Sequence, residues 1–523
     1  MILQYEVLKE KIEGCWLGKN AGGVLGAPFE GKRQLNDVKF YVQEDIAQNP
    51  PPNDDLDLQL VWLSAAERYG RNTDASILGE YWLSFIIPDW VEYGSGKTNL
   101  RQGLLPPLSG SYKNNYKNSC GSFIRSEIWA CLCPGHPGEA VRFAYEDAIV
   151  DHGDEGVYAE VFCAAVESAA FAVSDKYELI KIGLSYIPED CAVSKVINYL
   201  IERYSAEKDY KVLRDEIMNK FPGTFGIQWN KLKDIKDNYP HADAGYDVVN
   251  NIGIMIIAWL CGEDDFAKSL CIAVNCGEDT DCTAGTLGAI WGIIYGRSGL
   301  PDKWINPLGD VINTFCINML SGIPIPATVT ELTSRIIKLI PVFLNRTYNK
   351  EHEYCLFNDT KPGYMLETLE SEELFSAKLP EYLPFICGAG KPKVVWGERF
   401  EKQSAYTVKY QFPMFTVVVD YMEEPYIYLD TSRKIKVRVI DSGLGVHQQY
   451  FANFKFFCDE GVYIKGGNYF SEALQNLYMY EIEKEFEIVA EKFIGNKCEI
   501  LLDISLSGRH SSGVVKIVLF PRQ

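Results

Sequence analysis

Two segments of the chain carry a small residue at every fourth position, and this spacing constrains the fold more than any other feature. The first series is Gly14, Gly18, Gly22 and Gly26, and the second is Ala284, Gly288, Gly292 and Gly296. Residues four apart share one helix face, so each series predicts a smooth stripe against which another helix can pack closely. Close packing offsets the ~1 kcal/mol that a glycine costs inside a helix. Glycine-rich loops are the alternative interpretation.

Two clusters of acidic residues lie where helices are predicted to begin. The first, residues 53–57, follows a run of prolines, and the second, residues 278–281, precedes the second small-residue series. One Asp is enough to cap a helix N-terminus, and adjacent carboxylates repel one another unless water or a cation surrounds them. A solvated cap is the simpler interpretation of the first cluster taken alone. The second cluster begins an almost wholly apolar helix, so its acids are expected to face something other than bulk water.

The two acidic clusters meet if the two stripes pack in antiparallel directions. The end of the first helix, near Glu30, would then lie beside the start of the second, near Asp281. Carboxylates gathered at buried helix starts are the ligands that Mg²⁺ and Mn²⁺ prefer. Zinc has little support from the sequence, because the chain has six His and no His-Glu-x-x-His.

Composition narrows the function classes. The net charge of −20 disfavours nucleic acid or an anionic membrane as the main partner. The 15 Cys are irregularly spaced with no Cys-x-x-Cys, and the first residues lack the apolar region of a signal peptide. These features predict reduced thiols in a cytoplasmic protein. The most apolar stretch, residues 252–261, is about half the ~20 residues that a membrane-spanning helix needs, so it predicts a buried core helix.

The hydrophobic period changes along the chain and predicts two domains. Apolar residues recur at three and four positions up to about residue 341, whereas β-branched and aromatic residues alternate from about residue 394. The fold class predicted is mainly α with a C-terminal all-β, sandwich-like domain. The predicted boundaries are an all-α domain over residues 1–345, a linker over 346–393 and a β-sandwich-like accessory domain over 394–523.

Five segments carry motifs in a recognisable order. They are Gly14-Cys-Trp-Leu-Gly18 through Gly26-Ala-Pro-Phe-Glu30, then Asn53-Asp54-Asp55-Leu56, Cys120-Gly-Ser-Phe-Ile-Arg125, Asp147-Ala-Ile-Val-Asp-His152 through Tyr158, and Gly277-Glu-Asp279-Thr-Asp281-Cys282. In this order they resemble the motifs of the ADP-ribosylglycohydrolase family, which includes the dinitrogenase reductase-activating glycohydrolases. The resemblance covers roughly residues 10 to 300 and leaves the β region outside it.

The resemblance implies a helical fold with a centre of two Mg²⁺ or Mn²⁺ ions that hydrolyses the bond between C1″ of ADP-ribose and an amino-acid side chain. The implied metal ligands are Asn53, Asp54, Asp55, Asp279, Asp281 and Cys282. The implied catalytic residues are Glu30, which would sit beside the leaving group, and Asp55. The residues implied to line the ADP-ribose cleft are Gly121, Ser122, His152, Gly156 and Tyr158.

Three departures from the family pattern fall in the implied metal centre. Asn53 and Leu56 replace the two threonines of the second motif, and Cys282 replaces a ligand threonine. An amide oxygen can still bind a hard cation, whereas a thiol is a soft donor that suits Mg²⁺ poorly. The expectation is two ions, or a single ion if these departures abolish one of the two metal sites.

The leading function hypothesis is a metal-dependent glycohydrolase that acts on an ADP-ribosylated protein or a small ribosylated molecule. Two alternatives stay open. One is a hydrolase of a different ribosyl N- or O-glycoside that uses the same centre. The other is a catalytically silent ADP-ribose-binding protein, which the residues Asn53 and Cys282 motivate.

Overall fold

The computed structural model describes most of the chain outside the predicted linker. The described ranges are residues 2–44, 46–47, 49–221, 245–318, 322–344, 365–367, 406–441, 449–475 and 481–522. The predicted linker, residues 346–393, lies outside these ranges except for 365–367. The predicted domain boundaries therefore stay a prediction.

The part of the chain described up to residue 344 is built from sixteen α-helices. They are α1 Tyr5–Gly26, α2 Asp54–Tyr69, α3 Ala75–Phe85, α4 Val91–Arg101, α5 Leu108–Ser111, α6 Glu127–Leu132, α7 Pro137–Ala148, α8 Asp154–Ala169, α9 Lys176–Leu184, α10 Ala192–Tyr204, α11 Tyr210–Lys220, α12 Val248–Cys261, α13 Phe266–Asn275, α14 Thr280–Tyr295, α15 Asp302–Ile305 and α16 Val329–Leu344. An Asp caps the N-terminus of α3, α9, α11, α12 and α13 through its side chain. The core helix predicted around residues 252–261 is α12, which is buried throughout.

Within the described ranges, none of these helices combines the length and the hydropathy that a membrane crossing requires. The thirteen cysteines in the same ranges are free thiols, as the spacing predicted.

Helices α1 and α14 pack against each other in antiparallel directions along the two small-residue stripes. A Cβ atom added at Gly18 would overlap the backbone carbonyl of Gly288, and one added at Gly22 would overlap that of Ala284. Both series lie within helices almost entirely, so the interpretation as glycine-rich loops is wrong. Gly296 is the exception, because α14 ends at Tyr295 and Gly296 adopts a φ of 71° that favours glycine.

The loop after α1 is fastened to the loop before α14. The Gly31 backbone N–H donates to the Glu278 carbonyl over 3.0 Å, and the buried Arg33 Nε lies 2.7 Å from Glu278 Oε1. Gly277 precedes this contact with a φ of 74°, and a Cβ there would overlap the Gln34 carbonyl. These contacts hold the end of α1 beside the start of α14, as the antiparallel prediction requires.

Twelve strands complete the described fold. Two short ones, β1 Ile2–Gln4 and β2 Met365–Glu367, pair antiparallel, so the N-terminal residues are not purely helical and residues 365–367 return to the helical part. The other ten form the C-terminal part: β3 Thr407–Gln411, β4 Phe415–Asp420, β5 Tyr426–Tyr428, β6 Ser432–Asp441, β7 Gln449–Cys458, β8 Val462–Ile464, β9 Tyr469–Gln475, β10 Glu481–Ala490, β11 Cys498–Leu506 and β12 Ser512–Arg522.

The ten C-terminal strands form two five-stranded sheets, in the orders β3-β4-β6-β10-β8 and β5-β12-β11-β7-β9. Every neighbouring pair is antiparallel except β12 with β5. Alternate side chains of β11 are buried, as expected for a strand with one face on a core. Phe456 of one sheet contacts Phe486 of the other with ring centroids 4.8 Å apart. The predicted mainly α fold with a sandwich-like β domain is confirmed.

The β domain is tied to the helical domain by the turn between β11 and β12. Arg509 Nε donates to Glu80 Oε2 of α3 over 2.7 Å, and its Nη2 donates to Ser84 Oγ over 2.6 Å. The Ser511 backbone N–H donates to Glu80 Oε1 over 2.9 Å. Glu80 and Arg509 are both buried, so each charge depends on the other for its hydrogen bonds.

Replacing Arg509 by Met should lower the free energy of unfolding by roughly 2–3 kcal/mol, because Glu80 loses a charged donor while it stays buried. Chemical denaturation followed by fluorescence would measure the loss. The matched control is Arg522→Met at the far end of β12, where the side chain is exposed and a change of less than ~0.5 kcal/mol is expected. Equal stability of the Arg509→Met variant and the wild type would contradict a stabilising role for the contact.

Candidate metal centre and active site

Six side chains converge where the antiparallel pair brings the end of α1 to the start of α14. We call them the acid–thiol cluster, and its members are Glu30, Asp55, Cys120, Asp279, Asp281 and Cys282. Three overlapping groups within it each offer three ligand atoms that lie within 4.8 Å of one another. These groups are Glu30 with Asp279 and Asp281, Asp55 with Asp281 and Cys282, and Cys120 with Asp279 and Cys282.

The start of α14 is held by hydrogen bonds that aim Asp279 and Asp281 at the cluster. The Asp279 backbone N–H donates to Asn251 Oδ1 over 3.0 Å. The Thr280 hydroxyl donates to the Gly26 carbonyl at the end of α1 over 2.8 Å. Asp279 occupies the N-cap position without capping the helix through its side chain. Its carboxylate is therefore left for other partners.

The start of α2 brings Asp55 into the ligand groups and leaves Asp54 beside them, hydrogen-bonded to Tyr93. Asn53 caps α2 by accepting from the Asp55 backbone N–H over 2.7 Å, and its Nδ2 donates to Asp281 Oδ2 over 3.0 Å. The Asp54 carboxylate accepts from the Tyr93 hydroxyl over 2.9 Å. In this arrangement the Asn53 amide oxygen and Asp54 lie outside the three ligand groups, and metal binding by either one stays a prediction.

Two thiols face carboxylates within the cluster. Cys120 Sγ lies 2.6 Å from Asp279 Oδ2, and Cys282 Sγ lies 3.6 Å from Asp55 Oδ1. Burial raises the pKa of both thiols. Sequence reasoning did not place Cys120 in the metal centre. The available signal was its position in the third motif, where the family pattern has Asn.

Burial and mutual repulsion raise the pKa of the carboxyl groups of Glu30, Asp55 and Asp279. Desolvation followed by the negative charges of Asp281 and Asp54 raises the pKa of Glu30 to about 8, although this side chain is partly exposed at the mouth of the cluster. Desolvation is also the largest cause for Asp55 and Asp279, whose pKa values rise well above the usual range. The carboxylates therefore lack sufficient positive charge from the described protein groups.

Lys19 is a buried cation at the back of the cluster that sequence reasoning missed. Its Nζ lies 2.8 Å from Glu127 Oε1 and 3.6 Å from Asp55 Oδ2. Burial lowers the pKa of Lys19, but Glu127 and Asp55 outweigh burial and the net shift is upward. The available signal was a lysine one residue after Gly18, inside a helix whose neighbouring positions are nearly all buried.

The cluster fits a divalent cation. Three of its buried oxygen atoms have no hydrogen-bond partner among the described residues: Asp55 Oδ2, Asp279 Oδ1 and Asp281 Oδ1. Buried carboxylate oxygens without donors are costly unless a cation binds them. The group of Glu30, Asp279 and Asp281 offers oxygen donors alone, which suits a hard cation.

Adding Mg²⁺ or Mn²⁺ to the metal-free protein should raise its melting temperature, because the cation relieves the repulsion among buried carboxylates in the folded state alone. At a free metal concentration 100 times Kd, the expected stabilisation is ~2.7 kcal/mol. Differential scanning calorimetry with and without a chelator would measure it. The Asp281→Asn variant keeps the side-chain shape and should lose most of the shift. A wild-type melting temperature that does not respond to divalent ions would contradict the metal site.

Four of the five residues predicted to line the ADP-ribose cleft lie together and are buried. His152 Nδ1 lies 2.9 Å from Asp151 Oδ1, and its Nε2 lies 3.0 Å from Ser119 Oγ. The Ser122 hydroxyl donates to the Gly156 carbonyl over 2.6 Å. The fifth residue, Tyr158, is half-buried on α8. The contacts account for the position of His152, and its role in substrate binding stays a prediction.

Gly121 joins these residues to the acid–thiol cluster. It follows Cys120 directly, and its carbonyl accepts from Arg125 Nη1 over 2.8 Å. A Cβ atom at Gly121 would overlap the Glu92 carboxylate, so any other residue there would require the Glu92 side chain to move. Arg125 also binds Asp147 and Asp151, and all three are buried. The network holds the loop that carries Cys120 against the His152 region.

The helical domain, in which acids at the starts of two helices meet at the packed small-residue stripes, belongs to a known family by its sequence. The sequence model of the ADP-ribosylglycohydrolase family matches residues 4–339, and the chain belongs to this family. The chain is also 29% identical, over 113 residues, to the ADP-ribosylarginine hydrolase Tri1 of Serratia proteamaculans (strain 568). That match covers 22% of this chain and 29% of the relative, so the chain spans less than a third of the length of this relative.

Proposed function

We propose that the protein is a glycohydrolase that uses a divalent metal to cleave the C1″ glycosidic bond of ADP-ribosylated substrates. The observation that carries the proposal is the convergence of Glu30, Asp279 and Asp281 at the junction of α1 and α14. Glu30 is distant in sequence from Asp279 and Asp281, and the contact of the two small-residue stripes brings them together. Membership of the ADP-ribosylglycohydrolase family supports the same reaction class.

Cleavage at a ribosyl C1″ passes through an oxocarbenium-like transition state and needs water delivered to one face of the sugar. A bound divalent cation supplies a template for the ribose hydroxyls and lowers the pKa of a water molecule. The chain must then position the sugar, remove a proton from the water and keep the site otherwise dry. The buried acids and the buried His152 region provide the walls of such a site.

Glu30 is the member of the cluster best placed to move a proton. It is exposed, whereas Asp55, Asp279 and Asp281 are buried. Desolvation and the charges of Asp281 and Asp54 raise its pKa to about 8 in the metal-free cluster, and a bound divalent cation would lower that pKa so that the carboxylate is ionised and can accept a proton at neutral pH. We assign Glu30 the role of the general base that accepts the proton of the attacking water. General-base catalysis of this kind contributes about 10²–10⁴-fold to a rate.

Asp55 has a different environment from Glu30 and a different proposed role. It is buried between Lys19 and Cys282. We assign it to orienting the cation and the water rather than to exchanging protons with solvent. The sequence hypothesis that Asp55 is catalytic stays a prediction.

ADP-ribosylated arginine is the first substrate to test, because the relative described above is named an ADP-ribosylarginine hydrolase. The experiment incubates the full chain with an arginine-ADP-ribosylated peptide and, separately, with a serine-ADP-ribosylated peptide. Released ADP-ribose is quantified with Mg²⁺, with Mn²⁺ and with a chelator. We expect metal-dependent release from the arginine peptide.

The Glu30→Gln variant is the internal control for the chemistry. It keeps the side-chain volume but cannot accept a proton, so release should fall by about 10²-fold or more. Because Asp279 and Asp281 remain as ligands, part of the metal-dependent rise in melting temperature should persist. Absence of release from both peptides would overturn the proposal. Calorimetry with ADP-ribose would then identify a silent binder, and release from another ribosyl glycoside would identify the other alternative.

A further inference from the structure

We propose that Cys120, Cys282 and Asp279 form a thiolate-containing site for a borderline-soft divalent cation of the Zn²⁺ class. The site shares residues with the centre of the proposed function, and in that sense it rests on that function. It differs in chemistry, because two of its three donors are sulfur atoms. The sequence argument against zinc considered His and Cys spacing along the chain, whereas the fold brings together two cysteines that are distant in sequence.

The geometry of the three donor atoms matches a single ion. The two sulfur atoms and an Asp279 oxygen all lie within 4.8 Å of one another. Ligands held about 2.0–2.3 Å from one tetrahedral zinc ion lie roughly 3.5–3.8 Å apart. Cys120 Sγ and Asp279 Oδ2 are 2.6 Å apart, so the Asp279 carboxylate has to rotate away from the sulfur by roughly 1 Å when both bind one ion. All three side chains are buried, so little competing water surrounds them.

The three residues are held by separate parts of the fold. Asp279 and Cys282 lie at the start of α14, where the Thr280 hydroxyl ties the helix to the end of α1. Cys120 belongs to a loop that is anchored to the start of α12, because its backbone N–H donates to the Tyr246 carbonyl over 3.0 Å. A site assembled from such anchored elements is formed before the cation arrives and loses little entropy on binding.

An oxygen atom without a partner points to a missing cation. Asp279 Oδ1 is buried and has no hydrogen-bond partner among the described residues, while Asp279 Oδ2 faces Cys120 Sγ. Thiols that only fill space would face apolar side chains. Here Cys120 faces Asp279 and Cys282 faces Asp55, which places both sulfur atoms on the polar side of the cluster.

Donor chemistry decides which ion such a site selects. Mg²⁺ prefers an all-oxygen shell, whereas thiolate ligands select zinc and related transition metals. Three protein ligands with the fourth position open to water is the pattern of catalytic rather than structural zinc sites. The replacement of a ligand threonine by Cys282 is thus a change of metal preference, and Cys120 supplies the second sulfur that makes the change effective.

Titration of the metal-free full chain with Co²⁺ under reducing conditions tests the site, because thiolate ligands give Co²⁺ an intense charge-transfer absorption in the near ultraviolet. We expect this band in the wild type and its displacement by Zn²⁺. The Cys120→Ser and Cys282→Thr variants should each weaken Zn²⁺ binding by about 100-fold or more. Their combination should abolish the band. The matched control is Cys133→Ser, which removes a buried thiol outside the acid–thiol cluster and should keep the band.

The outcomes separate this inference from the proposed function. Wild-type protein that lacks the charge-transfer band, or a double variant that keeps it, overturns the thiolate site. If such protein still releases ADP-ribose with Mg²⁺, the glycohydrolase proposal stands without it. A band in the wild type with no release from any ADP-ribosylated substrate supports the site and overturns the function instead.

Discussion

The Asp281→Ala variant is expected to lose ADP-ribose release by more than about 100-fold and to bind less divalent metal, while the chain stays folded. Asp281 belongs to two of the three ligand groups, one with Glu30 and Asp279 and one with Asp55 and Cys282. Its removal therefore weakens both ends of the cluster. Loss of residues that only support metal ligands already costs 10–100-fold, and loss of a shared ligand should cost more.

Removing Asp281 should not destabilise the metal-free protein, and this separates a lost ligand from a damaged fold. The Asp281 charge is among the causes that raise the pKa of Glu30, Asp54 and Asp55. Without it, the repulsion among the remaining acids falls, so the melting temperature in chelator should stay equal or rise. Residues placed for function at a cost in stability behave in this way.

Turnover, calorimetric metal stoichiometry and melting temperature would be measured on the same Asp281→Ala preparation. Asp190→Ala is the matched control, because Asp190 is exposed and lies outside the ligand groups. We expect the control to match the wild type in all three measurements. Full turnover by Asp281→Ala would contradict the assignment of the active centre, whatever the metal content.

The contact between α1 and α14 could be predicted because its signal is local and repeated. Four small residues on one face of a helix indicate that another helix packs closely against that face. The second series of small residues identifies α14 as that helix. Glu30 follows the first stripe, and Asp279 and Asp281 precede the second, so their convergence was predictable from the antiparallel packing of the two stripes. The antiparallel direction is confirmed by the overlap of Gly18 with Gly288 and of Gly22 with Ala284.

The division of labour between Asp54 and Asp55 could not be predicted in the same way. Neighbouring residues on a helix point about 100° apart, and here Asp55 falls in a ligand group whereas Asp54 accepts a hydrogen bond from Tyr93. This difference depends on the rotation of α2, which is fixed by Asn53 at the N-cap and by Tyr93 on α4. Neither contact has a signal in the sequence around residue 54.

Lys19 and Cys120 were missed for a related reason. Each is a single polar residue whose role in the site depends on a contact with a residue far along the chain. The contact is with Glu127 for Lys19 and with Asp279 for Cys120. A pairing of this kind leaves no periodic pattern. The same holds for the contact of Arg509 with Glu80, which joins the two domains through residues on a β-turn and in the middle of α3.

Replacing Gly18 by Ala should destabilise the helical domain by about 4 kcal/mol or more, although the change adds a single methyl group. The added Cβ would overlap the backbone carbonyl of Gly288. A flexible side chain can move away from such a clash, but a helix backbone cannot do so without separating α1 from α14. Ordinary overpacking costs about 1–3 kcal/mol, and separation of two helices along a whole stripe should exceed that range.

The matched control uses the same substitution in the partner helix. At Gly285 of α14 an added Cβ would meet its nearest neighbour, Lys19 Cδ, at 3.5 Å, which is ordinary van der Waals contact. Gly285→Ala should therefore be neutral or should stabilise the protein by up to ~1 kcal/mol through helix propensity. Denaturant unfolding of both variants, followed by far-ultraviolet circular dichroism, compares them directly. Equal stabilities would show that the close approach of the two helices does not determine the fold, and the convergence of Glu30 with Asp281 would then need another cause.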